Sequence, residues 1–469
     1  MAEKRTRVNL HQRLNKKSRL GFVLPSACSR GQHNRNLHTL YNTPSSNNFT
    51  PDDFAEEVLL YEEAKHSSGL DKFTYRDLPS EHPLLKILEA KRERYLLEWD
   101  SKLRPIGTSH KSDEQIICDF KALRTSNISS LLDEEGNPHI IRSSNNLFTG
   151  LNQYFPEMAE TRTLCYTVID ALQNKDRFHK IYIKKFLLKG LGWNSRNFFK
   201  AFNKCFKTGS WTQMVGNFQP LVMKYIILES FNHQLQQKGR LPGDKFVILD
   251  PCTGWGGRLL GTLCSFNDLR SIYKKRTGCK LTVCYISTDP NRRVHDRFLN
   301  IIADWFDFIE TKGTRDYFKF DKDICGSETD DFLIFSKACL SNLGVTGVNL
   351  AMTSPPYFDR EQYSSDPSQS FIKYPTYARW HDGFLKCMIR NTYELLLDGG
   401  HFYLNIADIK AKKLKTPIAS DALKLSFACD FNHLKTYKML MGNSRKEGDN
   451  TVRVNNKVFK YEPIFVLEK

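Results

Sequence analysis

Two short stretches of this 469-residue chain carry residue types suited to holding small polar groups. Thr353-Ser354-Pro355-Pro356-Tyr357 follows an apolar run, Val348-Asn349-Leu350-Ala351-Met352, that reads as a strand. Pro355 and Pro356 fix φ and remove two N–H donors, so the loop is stiff and its carbonyl oxygens, with the Ser354 hydroxyl, remain as acceptors. About a hundred residues earlier comes a Gly-rich turn, Asp250-Pro251-Cys252-Thr253-Gly254-Trp255-Gly256-Gly257. It lies between a short apolar run, Lys245 to Asp250, and a helix-like run opening at Arg258. Strand, Gly-rich turn and helix together let backbone approach a ligand and point helix N-terminal amides at it. A second apolar run, Leu281 to Ile286, leads to Asp289, and an acid at that strand end suits the paired hydroxyls of a ribose. Each piece also has a plainer use: Pro-Pro ends strands, Gly-Gly makes tight turns, and Asp289 would cap the helix expected over 291–306.

Order along the chain separates these uses. Gly216-Asn217-Phe218-Gln219-Pro220 precedes a long apolar helix from Leu221 to Phe231, then come the Gly-rich turn, the Asp289 strand and Ser354-Pro355-Pro356-Tyr357. This succession resembles that of S-adenosylmethionine-dependent methyltransferases acting on exocyclic amines of nucleic-acid bases, in the group whose cofactor loops precede the catalytic loop. The resemblance runs from about Gly216 to the C-terminus. It implies a catalytic set of Ser354, Pro355, Pro356 and Tyr357, in which Ser354 and the Pro355 carbonyl accept the two amine hydrogens and Tyr357 stacks on the base. It implies S-adenosyl-L-methionine as cofactor, held by Asn217, Phe218, Gln219, Pro220, Asp250, Cys252, Gly254, Trp255, Gly256 and Asp289. Asp323, at the end of a third strand expected over 318–324 and narrowly preferred to Asp321, would touch the adenine amine. Serine before Pro-Pro-Tyr tends to mark cytosine N4 as target, whereas Asp or Asn tends to mark adenine N6. The polymer is expected to be double-stranded DNA, with RNA as the alternative, and a catalytically silent nucleic-acid-binding protein on the same fold as the reading of a different class.

Other base chemistries lack their parts. A cytosine-C5 enzyme needs a Cys nucleophile, usually after Pro, but Pro251-Cys252 falls inside the cofactor turn. Zinc-dependent deamination would use Cys-x-x-Cys near His-x-Glu, and the chain has no Cys-x-x-Cys. Between the catalytic loop and the helix expected over 381–397 lies a stretch, Phe358 to Trp380, that interleaves aromatics with Lys and Arg. It suits a surface that stacks bases and neutralises phosphates, and equally a lid whose aromatics bury one another. Phage-encoded proteins described as DNA methylases are similar here, with Tyr-Phe-Asp, Gln-Ser and Tyr-x-x-Trp after Pro-Pro-Tyr.

The resemblance implies an α/β fold over 207–469, a Rossmann-like, seven-stranded, mostly parallel sheet of class I methyltransferase type. Asp398-Gly399-Gly400 reads as a helix stop, His401 to Ile406 as a strand and Val458 to Leu467 as a closing strand. Residues 51–206 read as a mainly helical accessory or target-recognition domain, with helices over 84–99, 181–189 and 197–206 and with Lys184, Lys185, Lys189 and Arg196 toward nucleic acid. Residues 1–50 read as a basic arm, its first 43 residues holding nine Lys or Arg against Glu3 alone. A net charge of +17 favours a polyanionic partner. The arm lacks the apolar core of a secretion signal, and no stretch approaches transmembrane length. Twelve cysteines without paired spacing fit reduced thiols, so a bacterial or phage-infected cytoplasm is the expected location.

Overall fold

The structure is a computed structural model that describes residues 79–100, 113–132, 139–142, 155–162, 167–176, 215–291, 336–342, 344–411, 414–444 and 446–469, with 60, 63, 178 and 332. Apart from Asn291, the helix expected over 291–306, the strand over 318–324 with Asp321 and Asp323, the two basic helices and the N-terminal arm fall outside the described residues. Chain contacts divide the protein at Thr50, and all of the described residues belong to the unit from Pro51 to Lys469.

The described strands are β1 Ile140–Arg142, β2 Lys245–Asp250, β3 Thr282–Ser287, β4 Val348–Thr353, β5 Leu396–Asn405, β6 Ile409–Ala411, β7 Leu414–Thr416, β8 Asn432–Asn443, β9 Thr451–Val454 and β10 Lys457–Glu468. Helices that bear on the site are α1 Pro83–Asp100, α2 Asp113–Thr125, α3 Pro220–Lys238, α4 Gly257–Thr277, α5 Lys386–Leu395 and α6 Ile418–Ala428. Eight strands form one sheet in the order β1-β8-β10-β5-β4-β2-β3, with β9 paired to β10. Strands β3, β2, β4 and β5 are parallel, and β10 runs antiparallel to β5, β8 and β9. This is a Rossmann-like, mostly parallel α/β sheet, closed at one side by an antiparallel hairpin.

Period-two burial explains why the central strands hold. All six residues of β4 are buried, as in a strand covered on both faces. Phe246, Ile248, Leu350, Met352, Tyr403, Ile464 and Val466 face one core, with α3 and α4. Val247, Leu249, Val348, Ala351, Phe402, Leu404, Phe465 and Leu467 face the other, with α5 and α6. Successive residues point to opposite faces of the pleat, so each apolar run fills two cores.

The sheet differs from the expected seven strands. Ile140–Arg142 comes from the region before residue 207 yet pairs in parallel with β8, Ile140 opposite Lys438. Three residues are too short for a readable alternation. Phe120, Leu123, Leu131, Phe155 and Met158, also from that region, lie in the same core as α3 and α4. Asp398-Gly399-Gly400 is likewise no stop between elements, because it lies inside β5. The helix before it ends at Leu395, and Lys469 pairs by backbone hydrogen bonds with Gly399 and Gly400 (2.9 and 3.1 Å), drawing these glycines into the sheet.

Close approach of α4 to the segment entering α3 depends on two glycines one helical turn apart. A Cβ on Gly257 would stand 2.0 Å from the Phe218 carbonyl oxygen, and one on Gly261 would stand 2.4 Å from that of Pro220. These atoms are backbone and cannot swing away. Gly257→Ala is expected to lower stability by about 1–3 kcal/mol, read as a shift in the urea midpoint with unchanged m-value.

Candidate active site

Parallel pairing places the two chemistry-bearing loops side by side. Ile248 is opposite Leu350 and Leu249 opposite Ala351, so β2 and β4 run the same way and end at one rim of the sheet. The Gly-rich turn leaves the end of β2 and Ser354-Pro355-Pro356-Tyr357 leaves the end of β4. Asp289 leaves the end of β3, whose Ser287 is opposite Asp250. The Trp255 ring from the first loop meets Tyr363, just beyond the second, edge to face at 5.9 Å.

The Gly-rich turn is held from beneath by a buried ion pair. Asp250 is wholly buried and its Oδ2 accepts from Arg258 Nε (2.7 Å) and from the Tyr285 hydroxyl (2.9 Å), while Oδ1 accepts from the Cys252 amide (3.4 Å). A second guanidinium N–H of Arg258 goes to the Cys252 carbonyl, so one side chain ties the first turn of α4 to the loop before it. Asp250 is thereby committed within the protein, and its effect on a ligand is through the shape of the loop. Thr253 and Thr288 lace the loop to the end of β3, with Thr253 N–H and Oγ1 donating to the Thr288 carbonyl (3.0 and 2.9 Å) and Thr288 Oγ1 donating to that of Pro251 (2.8 Å). Gly254 and Gly256 take φ of 65° and 84°, the left-handed region that suits glycine.

Asn217 couples the third segment to this turn. Its amide nitrogen donates to the Trp255 carbonyl (2.7 Å) and its oxygen accepts from the Gly257 amide (3.0 Å). Phe218 lies under the Arg258 guanidinium, 5.7 Å from it. Gln219 is half-buried at the start of α3, and Pro220 occupies the first helical position, where its missing N–H costs nothing. Asn217, Phe218, Asp250, Cys252, Gly254, Trp255, Gly256 and Asp289 therefore converge on one loop system. Cys252 is half-buried and burial pushes its thiol well above the ordinary range, so it is no nucleophile. The Trp255 indole is wedged between Phe155 and Tyr363, an apolar wall of the rim.

Asp289 is half-buried and accepts from the Gly254 amide (3.2 Å) and the Asn291 amide (2.9 Å). Burial pushes its pKa up to about 6 against these two donors, with Asp250 adding a smaller upward push. One carboxylate thus spans the two strand ends at the rim.

On the other side of the rim, Pro355 is buried and Ser354, Pro356 and Tyr357 are half-buried. The Tyr357 hydroxyl donates to the Asn405 carbonyl at the end of β5 (3.4 Å). Burial, then the nearby Glu462 charge, holds the phenol well above its usual range. Glu462 of β10 has its pKa pushed up to about 7, by burial first and Glu361 second, with smaller opposing effects from Asn405 and Tyr357. Glu361 is itself raised by burial and accepts from the Tyr363 hydroxyl. Sequence reading missed this acid pair because Glu361 and Glu462 are a hundred residues apart. The one available signal was an acid beside Pro463, just before the apolar run Ile464 to Leu467.

The lid-like stretch divides its roles. Phe358, Tyr377 and Trp380 pack on one another with centroids 5.9 to 6.1 Å apart, and Trp380 also meets Phe384. The Tyr377 hydroxyl donates to Asp421 (2.7 Å). Lys373 and Arg379 are exposed on its outer side with Ile372. Phe358 has φ of 50°, a strained setting for an aromatic residue, immediately after the Pro-Pro-Tyr turn. Backbone bonds of Arg162 with Gln362 (3.0 and 2.8 Å) fasten the stretch to the region before α3.

No protein-family model matches the chain, and no curated protein matches it. Among solved structures it is similar to a candidate DNA modification methylase of Thermus thermophilus complexed with S-adenosyl-L-methionine, at 20% identity over 29% of this chain and 51% of that one, with a TM-score of 0.20. It is similar to a candidate class I S-adenosylmethionine-dependent methyltransferase of Listeria monocytogenes, at 13% identity over 76% and 88% of the two chains (TM-score 0.31). TrmN of Thermus thermophilus is similar at 14% identity over 54% and 50% (TM-score 0.26). The chain spans about half the length of the Thermus methylase-like protein. These likenesses are slight, and the fold class rests on the strand order and directions themselves.

Removing Arg258 would leave Asp250 charged and buried. Arg258→Met is expected to cost about 3–5 kcal/mol in a thermal or denaturant melt, and Asp250→Leu with Arg258→Met to recover much of that loss.

Proposed function

We propose that the protein is an S-adenosylmethionine-dependent methyltransferase that acts on an exocyclic amine of a nucleic-acid base, with cytosine N4 of double-stranded DNA as the first target and adenine N6 or RNA as alternatives. The observation that carries this reading is the side-by-side exit of the Gly-rich and Ser-Pro-Pro-Tyr loops from adjacent parallel strands at one rim. Ligands of open α/β sheets sit at such strand ends. No described helix is long and apolar enough to cross a membrane.

The chemistry follows from the parts. An exocyclic amine is a weak nucleophile because its lone pair is delocalised into the ring, so holding its two hydrogens and aligning nitrogen with the sulfonium methyl supplies much of the rate. Ser354 and the Pro355 carbonyl are the acceptors in this reading, and Tyr357 offers a ring face to the base. The cofactor, when bound, supplies an electrophilic methyl on sulfur. Nitrogen forms the new bond as carbon–sulfur breaks, and the proton then lost from nitrogen needs an acceptor. Glu462, beside Tyr357 and with a pKa near neutrality, suits that role. A base within duplex DNA must first leave the stack, at a cost of a few kcal/mol. The exposed Lys373 and Arg379 on the lid-like stretch suit phosphate contacts.

Target base rests on Ser354, which replaces the carboxylate or amide that tends to accompany adenine. Incubation with labelled S-adenosylmethionine and DNA, followed by nucleoside mass spectrometry, is expected to yield N4-methylcytosine. Ser354→Ala and Tyr357→Ala are expected to lose at least about a hundredfold in transfer while retaining cofactor binding. Cofactor bound with no methylated nucleoside under any condition would favour a silent binding protein instead.

Asp289 gives the cofactor a pH signature. Ribose hydroxyls donate to the ionised carboxylate, and protonation near pH 6 removes that acceptor. Affinity for S-adenosylhomocysteine, followed by calorimetry, is expected to be level above about pH 7 and to fall as pH drops through about 6. In Asp289→Asn it should be weaker and nearly independent of pH.

A further inference from the structure

At the end of the sheet remote from the catalytic rim, three potential ligands from three elements converge: His233 on α3, His401 on β5 and Glu468 on β10. One ligand atom from each lies within 4.8 Å of the others. The two imidazole centroids are 4.9 Å apart. His401 is only 2% exposed. Its Nε2 and the Nδ1 of His233 are buried without a hydrogen-bond partner. Buried ring nitrogens of this kind are costly to leave unpaired, and two of them facing one carboxylate call for an explanation.

We propose that His233, His401 and Glu468 form a metal site for a borderline divalent cation of the Zn2+ type. Two imidazoles and one carboxylate, with a fourth position for water, is a ligand set zinc uses, whereas magnesium and calcium prefer all-oxygen shells. Four-coordinate zinc with ligands at about 2.0–2.1 Å has ligand atoms about 3.3 Å apart, so the cluster needs to contract by at most about 1.5 Å. His233 and Glu468 are half-buried and have room for that adjustment, while His401 is fixed.

The surroundings of His401 are those of an oriented ligand. Its Nδ1 lies 2.9 Å from the Ser230 hydroxyl oxygen. That oxygen already accepts from Gln234 Nε2 (3.1 Å), which also donates to the Asn349 carbonyl (2.8 Å). In the tautomer whose Nδ1–H donates to Ser230, the Nε2 lone pair is free for a cation, the second-shell arrangement that orients a ligating histidine. The ammonium groups of Lys435 and Lys238 are near His401. Both neighbouring ammonium groups have other partners: Lys435 is paired with Glu229, and Lys238 donates to the Asp398 carbonyl. Glu468 is opposite His401 in the β5–β10 ladder, and the Lys469 backbone bonds to Gly399 and Gly400 hold this end of the strand in place. A cation here would staple α3, β5 and β10 together, whatever reaction the catalytic rim performs.

The full-length protein, stripped with chelator and titrated with Zn2+ by calorimetry, is expected to bind one equivalent at this site and to show a raised thermal midpoint. Co2+ in its place should give the visible absorption of a four-coordinate ion. His233→Gln and Glu468→Gln, both at half-buried positions, should each weaken the affinity at least about tenfold. Their metal-free circular dichroism should match that of the wild type. Absence of Zn2+ binding by the wild type, or wild-type affinity in either variant, as from a site built on the cysteines, would overturn the assignment. Should either variant fail to fold, the Co2+ spectrum of the wild type decides, since thiolate ligation gives an intense near-ultraviolet charge-transfer band that histidine and carboxylate ligands do not.

Discussion

Everything at the candidate site depends on the parallel pairing of β2 with both β3 and β4. Parallel neighbours end at the same side of a sheet, so residues 250, 289 and 354 reach one rim although the chain separates the first and last by more than a hundred positions. Slipping any of these strands by one residue would turn its apolar set to the wrong core, which is why the register is firmly specified. Asp250 and Arg258 then fix the loop above β2. Their ion pair lies in the dry interior, where it specifies one loop geometry more than it adds net stability.

The rim gathers acids that water would stabilise better than the protein does. Asp289 and Glu462 have pKa values raised to about 6 and 7, and Glu361 is raised too. The folded chain therefore holds protons that the unfolded chain would release. Their contribution to stability is fully present at acid pH and is lost as pH rises through about 6 for Asp289 and about 7 for Glu462. Strain accompanies this, since Phe358 holds a left-handed φ beside the Pro-Pro-Tyr turn. Half-buried acids with raised pKa values and a strained aromatic near one rim are features that folding alone disfavours, and such features gather where a protein binds and reacts.

Much of this was legible in the chain because the central strands are continuous apolar runs bounded by glycine, proline or acid. Lys245 to Asp250 and Val348 to Met352 were readable for that reason, as was α4, expected from Arg258 and found from Gly257. What stayed hidden depends on partners distant in sequence. Ile140–Arg142 becomes a strand only because β8 offers it an edge. Asp398-Gly399-Gly400 carries every local sign of a stop and is drawn into β5 by the last residue of the chain. Arg258 looks like an ordinary first-turn residue until Asp250 is seen beneath it, and the Glu361–Glu462 pair exists only in the folded molecule. Phe358, Tyr377 and Trp380 bury one another, as in the lid that composition left open, while Lys373 and Arg379 stay exposed.

The most direct test of the central claim, that both loops serve one ligand, is a crystal structure with S-adenosylhomocysteine bound. The account predicts the ribose hydroxyls on Asp289, the methionine moiety along the Gly254–Gly256 turn and the sulfur facing Ser354 across the rim. A nucleoside bound elsewhere, or a rim that stays closed to a ligand which calorimetry shows to bind, would contradict it.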